Sequence, residues 1–189
     1  MDATDDPAGR LAEIDDVRRR TRAGLYLSWF PLVLYGVVSL GAAALAAVST
    51  KYVGAYWFVA WIVCFVAVGR YAAARADRIG LGGSPNRRYT RLWIGFFVVL
   101  FVAITVAVNI GGGAPAIVAT SSVLLCAVYL VIARWERSML MAFLGIAVAV
   151  SGVTLAALDP PYLVALANLA IGVVLIAGGL YARSLEERP

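Results

Sequence analysis

The sequence predicts an all-α fold: a polytopic membrane helix bundle of six transmembrane helices arranged as three hairpins, with both termini cytoplasmic. Three observations predict it. The chain is 62% hydrophobic and 14% charged over 189 residues, with a mean hydropathy of +0.87. A soluble domain carries charge on about a quarter of its residues. Six apolar runs are each long enough to cross a hydrocarbon core about 30 Å thick as a helix, for which about 20 residues suffice. The basic residues, 15 Arg and a single Lys, fall almost wholly on one side of the six-span path. The runs lack strand alternation, so a β-barrel is excluded.

Residues 1–24 form a cytoplasmic tail that begins "MDATDDPAGR". The acidic start and the length of the first apolar run make a cleavable signal peptide unexpected. The tail carries the local signals of a short amphipathic helix. Asp6 can cap it, and Pro7 suits its first position. Glu13, Asp15 and Asp16 precede Arg18, Arg19, Arg20 and Arg22, the order that the helix dipole favours. Leu11, Ile14 and Val17 make a narrow apolar stripe. Its flanking acids oppose anionic lipid, so the expected occupant of the stripe is a protein surface; the alternative is a disordered tail whose arginines only fix topology.

The bundle, residues 25–182, follows in six runs: Leu25–Val48, Val53–Ala73, Leu92–Ile110, Ala114–Ala133, Ser138–Ala157 and Pro161–Ala182. In lipid a helix satisfies every backbone polar group within itself. The first run has a face of small residues at Ser39, Ala43 and Ala47, spaced for close helix approach, and Gly172, Gly178 and Gly179 do similar work in the last. The outer connections are the short "STKY", "GGG" and "DPP", too small for a receptor site. Residues 183–189 form the cytoplasmic C-terminal end.

With the N-terminus inside, all 15 arginines are cytoplasmic or at that boundary, and Lys51 is the one basic residue outside. That is the positive-inside pattern. "RWER", Arg134 to Arg137, is then the inner turn between the fourth and fifth spans. It holds the only charges between Arg91 and Asp159. We read it as a topological pin, with Glu136 a partner for either arginine. "ARADR" from Ala74, "ARWER" from Ala133 and "ARSLEER" from Ala182 punctuate the even spans alike. Common ancestry and convergence on the same stop signal both account for this. Tyr26, Trp29, Tyr71, Tyr89, Trp93, Trp135 and Tyr181 fall at the inner boundary, and Tyr52, Tyr56, Trp57 and Tyr162 at the outer one, as aromatic belts. Tyr35 and Trp61 lie deeper and are expected between helices.

Few residues can carry chemistry. "GLGGSPNRR" has glycines beside arginines but not the spacing or lysine of a phosphate-binding loop. Arg87, Arg88 and Arg91, with Arg18, Arg19 and Arg20, are candidate contacts for lipid headgroups or a protein partner. No Asp, Glu, Lys or His falls at a membrane midplane, which disfavours proton coupling and intramembrane hydrolysis. Cys64 and Cys126 lie in different spans and read as small buried hydrophobes. With no His in the chain, no metal or other cofactor is expected. The candidate intramembrane polar residues are Asn168, Asn109, Ser121 and Ser122. Thr105, Thr120, Ser151 and Thr154 cluster near the last three. Such groups line a polar cavity or bond helix to helix. Asn168 is expected to face the bundle interior, because an amide in hydrocarbon needs a partner.

"RRRTRAGLYLSWFPLVLYGVVSL", Arg18 to Leu40, resembles the opening of small Ala-, Val- and Arg-rich integral membrane proteins of actinobacteria. The likeness covers the tail and first span, and is compositional elsewhere. That group carries no assigned activity, so the resemblance implies no catalytic or binding residues.

The sequence thus leads to an inner-membrane protein without enzymatic activity, a partner or regulatory subunit acting through its cytoplasmic face. The alternative is a small transporter or channel for an uncharged or amphipathic solute, which needs a polar path past Asn168. Expected partners are membrane lipids, a protein at the cytoplasmic face and a second copy of the chain. Nucleic acid is not expected, since the basic charge belongs to a membrane surface.

Overall fold

The computed structural model describes residues 29–78 and 87–186, without the side chains of 76–78, 87–90, 108, 136 and 186. Six α-helices account for most of these residues: α1 (Trp29–Val48), α2 (Val53–Arg78), α3 (Arg87–Asn109), α4 (Gly113–Glu136), α5 (Met139–Leu158) and α6 (Leu163–Glu186). A single 3-10 turn, Thr50–Tyr52, joins α1 to α2. No strand occurs among the described residues. Five of the helices are long and apolar enough to cross a membrane, and α3 has a shorter apolar stretch, Arg91–Ala107. That stretch is about 25 Å long at 1.5 Å per residue, a little under the hydrocarbon thickness, and Arg91 at its end can snorkel to the interface. The chain is therefore a multi-pass membrane protein. The tail, with Arg18, Arg19 and Arg20, and most of "GLGGSPNRR" lie outside the described residues.

The helices run further than the apolar runs at the arginine-rich end. α2 continues from Ala73 to Arg78, α4 from Ala133 to Glu136, and α6 from Ala182 to Glu186. The recurrent "AR" punctuation thus belongs to the last turns of helices. A cation there meets the partial negative charge of unpaired carbonyls. The helix simply outlasts the hydrocarbon.

α1 packs against α6 and α2, α4 against α3 and α5, and α5 against α6, while the backbones of α2 and α3 stay apart. The contacts are far from equal. α1 against α6 is the most extensive, then α4 against α5, with α5–α6, α3–α4 and α1–α2 well behind. The closest approaches therefore lie between the expected hairpins rather than within them. Glycine explains both. A Cβ on Gly36 would stand 2.9 Å from the Gly172 carbonyl oxygen, and one on Gly172 would stand 3.0 Å from that of Gly36. One turn-pair away, a Cβ on Gly179 would stand 3.0 Å from the Trp29 carbonyl oxygen. The antiparallel register then brings Ala43 level with Ala165, and both are buried. Lipid gives helices no hydrophobic reason to associate, so dispersion and weak Cα–H···O contacts at such points hold them together. In α5, Gly145 meets the Tyr129 Cβ and the Cys126 carbonyl, while Ser122 fills the space that a side chain on Gly152 would need. On the expected small-residue face of α1, Ser39 and Ala43 are buried but Ala47 is exposed; Gly36 and Ala46 complete the stripe instead. A heptad-like 36–39–43–46 progression follows a supercoiled neighbour better than strict four-residue steps.

The main core gathers Leu32, Phe96, Tyr129, Ile132, Met141 and Leu175. A smaller cluster, Ala46, Val53 and Ala165, seals the opposite end. α2 and α3 meet chiefly through aromatic rings. Trp61 lies 4.1 Å from Phe97 and 5.8 Å from Trp93 between centroids, and 5.1 Å from Tyr35 on α1. Tyr35 and Trp61 thus pack between helices as expected. Trp93, expected in the inner belt, is drawn into the same group and stacks on Tyr35 at 6.3 Å. Its ring finds more contact there than at the headgroups.

Candidate functional site

The two ends of the bundle and the polar side chains between them are the places where function can reside. At the arginine-rich end, α4 closes with a tight reversal. Arg137 adopts a left-handed conformation (φ 53°) and its N–H bonds to the Ala133 carbonyl. The Ser138 N–H bonds to the same carbonyl at 3.0 Å. This is a left-handed helix closure with arginine where glycine is usual. Ser138 then caps α5, its hydroxyl accepting from the Met141 N–H at 3.4 Å. In the sequence Ser138 was placed as the first residue of the fifth run and its capping role was missed, although serine before an apolar run is an N-terminal signal; the strained backbone of Arg137 carried no sequence signal. Arg134, Trp135 and Arg137 are exposed. The pairing assigned to Glu136 lies outside the described side chains.

Other residues at this end come together across the bundle. The Arg183 guanidinium sits over the Trp29 ring at 5.1 Å, joining the end of α6 to the start of α1. Such a contact contributes about 0.5–1 kcal/mol where solvent reaches it. Phe30 stacks on Tyr71 at 4.4 Å, and Arg75 donates to the Tyr71 hydroxyl at 3.2 Å. Arg70 and Arg91 are exposed. Arg87 and Arg88 begin α3, but their side chains lie outside the described set. Trp135 and Tyr181 are exposed at their helix ends, as belt residues should be.

The intramembrane polar residues are not drawn together. Asn168 is half-buried, and its amide donates to the Val164 carbonyl of its own helix at 2.8 Å. Asn109 is exposed and donates to Thr105 at 2.7 Å. The Ser121 hydroxyl is shared between the Ile117 and Val118 carbonyls at 2.8 and 3.1 Å. Ser39, Thr105 and Ser151 likewise bond back one turn. A hydroxyl in hydrocarbon does this because the preceding turn offers the nearest spare lone pair. Ser122 differs. It is 1% exposed, its oxygen has no hydrogen-bond partner, and it is pressed against Gly152. It serves as a small spacer between α4 and α5. Tyr56 makes a bond that crosses between helices, its hydroxyl donating to the Val38 carbonyl at 2.8 Å. Cys64 is buried and Cys126 half-buried, both as free thiols. No group of metal-ligating side chains occurs among the described residues.

The sequence also left a hollow unread. At the end opposite the arginines an open depression of about 460 Å³ lies among the end of α1, the 3-10 turn and the starts of α4 and α6. Lys51 stands on its rim. The lone lysine was a visible signal, but the hollow exists only because three helix ends diverge there. Compared with protein-family models, curated proteins and solved structures, the chain matches none.

Proposed function

We propose that this multi-pass protein lies in a bacterial inner membrane with both termini in the cytoplasm, and acts without catalysis as a partner or regulatory subunit through its arginine-rich face. The observation that carries this reading is the state of its polar groups. Asn168, Asn109, Ser121 and Thr105 each bond to a carbonyl one turn back on the same helix. That leaves the membrane interior with little to offer a solute, and leaves Arg134, Arg137 and their neighbours as the chemically assertive surface. The alternative reading, a small transporter, requires these amides and hydroxyls to face a shared path.

Two measurements test the reading. With Cys64 and Cys126 replaced by alanine, a membrane-impermeant thiol reagent should label a cysteine at Gly112 and spare one at Ser84; the reverse would overturn the topology. A photo-crosslinking residue in place of Arg137 or Ser184 should give a discrete heavier adduct in cells, with none from Gly112. Solute flux through the purified protein alone in liposomes would favour the transporter instead. Deleting residues 2–16 should weaken the adduct if the tail contributes to docking, and unchanged recovery would remove the tail from the proposal.

A further inference from the structure

The depression opposite the arginines joins two chemistries. Its wall is apolar, from Ala46, Val48, Leu163 and Val164. Its rim is polar, in the consecutive residues Ser49, Thr50 and Lys51. Ser49 makes no side-chain cap bond to the 3-10 turn that follows it. The Lys51 ammonium lies 5.7 Å from the Tyr52 ring, which keeps it near the rim. In the whole chain this is the one lysine. Among the described residues Asp159 is the acid at this end, and it does not line the hollow. The local charge is therefore positive over an apolar trough that opens where the spans leave the hydrocarbon.

We propose that this depression binds one anionic phospholipid, its phosphate held by Lys51 with the Ser49 and Thr50 hydroxyls, and its acyl chain laid along Val48 and Val164. The charge complementarity selects the ligand. A zwitterionic headgroup brings its own cation to Lys51, whereas an anionic one brings none. A free phosphate would use the rim but leave the apolar wall uncovered, which is why a lipid fits better. The leaflet that supplies the lipid depends on the topology proposed above, and the cysteine labelling tests that separately. Binding itself does not depend on it, because the test is done in detergent.

The full-length protein in a neutral detergent is titrated with phosphatidylglycerol or with phosphatidylcholine of the same chains, and bound lipids are counted by native mass spectrometry. The expected result is one lipid site preferring phosphatidylglycerol about fivefold, the weight of one lysine near a membrane surface. Lys51→Gln should abolish the preference. Arg137→Gln, at the far end, should keep it, which separates this site from arginines that also attract anionic lipid. A phosphatidylglycerol with a photoreactive group on its acyl chain should mark residues 46–51 and 162–165. Equal retention of the two lipids by the unaltered protein would overturn the proposal. So would a preference that survives Lys51→Gln but not Arg137→Gln, or full displacement of the lipid by millimolar inorganic phosphate.

Discussion

The helices α1, α4, α5 and α6 and the pair α2–α3 are made from the same kinds of residue, yet they are held in opposite ways. In the first group glycines sit where two backbones touch. A Cβ on Gly36, Gly145 or Gly172 would meet a neighbouring backbone oxygen at 2.9–3.2 Å. In the second group Gly54, Gly69 and Gly95 face open space, with nothing within 4 Å. The consequence shows in burial: 39% of the α1 and α6 spans is buried, against 6% of the α2 span. Phe58, Phe101 and Ile62 stand exposed on α2 and α3, toward what we read as lipid. Large rings keep α2 and α3 apart and then bridge the space they have made. Glycine lets the other helices touch. In a membrane, where apolar surface has no reason to avoid its surroundings, side-chain size at the contact decides which pairs are tight.

The sharpest way to break this contrast is to enlarge a glycine at a tight contact. Gly172→Leu should cost about 3 kcal/mol, at the upper end for overpacking, because the obstacle is the Gly36 backbone and cannot rotate away. Detergent unfolding of the purified chain measures it, and a loss below about 1 kcal/mol would show that the α1–α6 contact is not the keystone. Trp61→Ala removes the ring that touches Tyr35, Trp93 and Phe97. Lipid or neighbouring rings can refill that space, so the expected cost is smaller, about 1–2 kcal/mol. Spin labels on α2 should gain mobility while labels on α6 do not. If both gain equally, α2 is as integral as α6.

Gly69→Ala and Gly95→Ala should be neutral or stabilising by up to about 1 kcal/mol, because alanine is the better helix former and nothing obstructs it. Destabilisation at either site would mean that an unseen partner, such as a second copy, packs there. Arg137→Gly should relieve the left-handed strain, a gain of about 1 kcal/mol. It also deletes one positive charge from the arginine-rich end, so stability should rise while the fraction inserted in the proposed orientation falls slightly. The smallest effect is expected from Glu136→Gln. An exposed ion pair contributes roughly 0–1 kcal/mol, and a larger loss of function with normal insertion would make that turn a site rather than a pin.

The candidate sites divide along the same line. The charged turns were legible, because an arginine in hydrocarbon is costly enough to mark a boundary by itself. Ser138 as a cap was missed, because it was counted as the first residue of the fifth run, although serine before an apolar run is a start signal. The behaviour of Asn168 and Ser121 was not. Both were chosen as polar groups that need partners, and both find them within their own helix. A sequence names the donor but does not say which carbonyl is nearer.

What the sequence determined by itself was the helices, their spanning character and the segregation of charge to the helix ends. Dehydration enforces all three: a backbone in lipid must bond within its own segment, and a guanidinium must reach water. What only the tertiary structure decided was which faces meet. In water, burial would have sorted the faces by polarity. Here both faces of each span are apolar, so Gly36 and Gly69, or Ala43 and Ala47, read alike along the chain. They differ only in whether another helix lies against them. The hollow beside Lys51 has the same origin, since it is a space between three helix ends and no one segment encodes it.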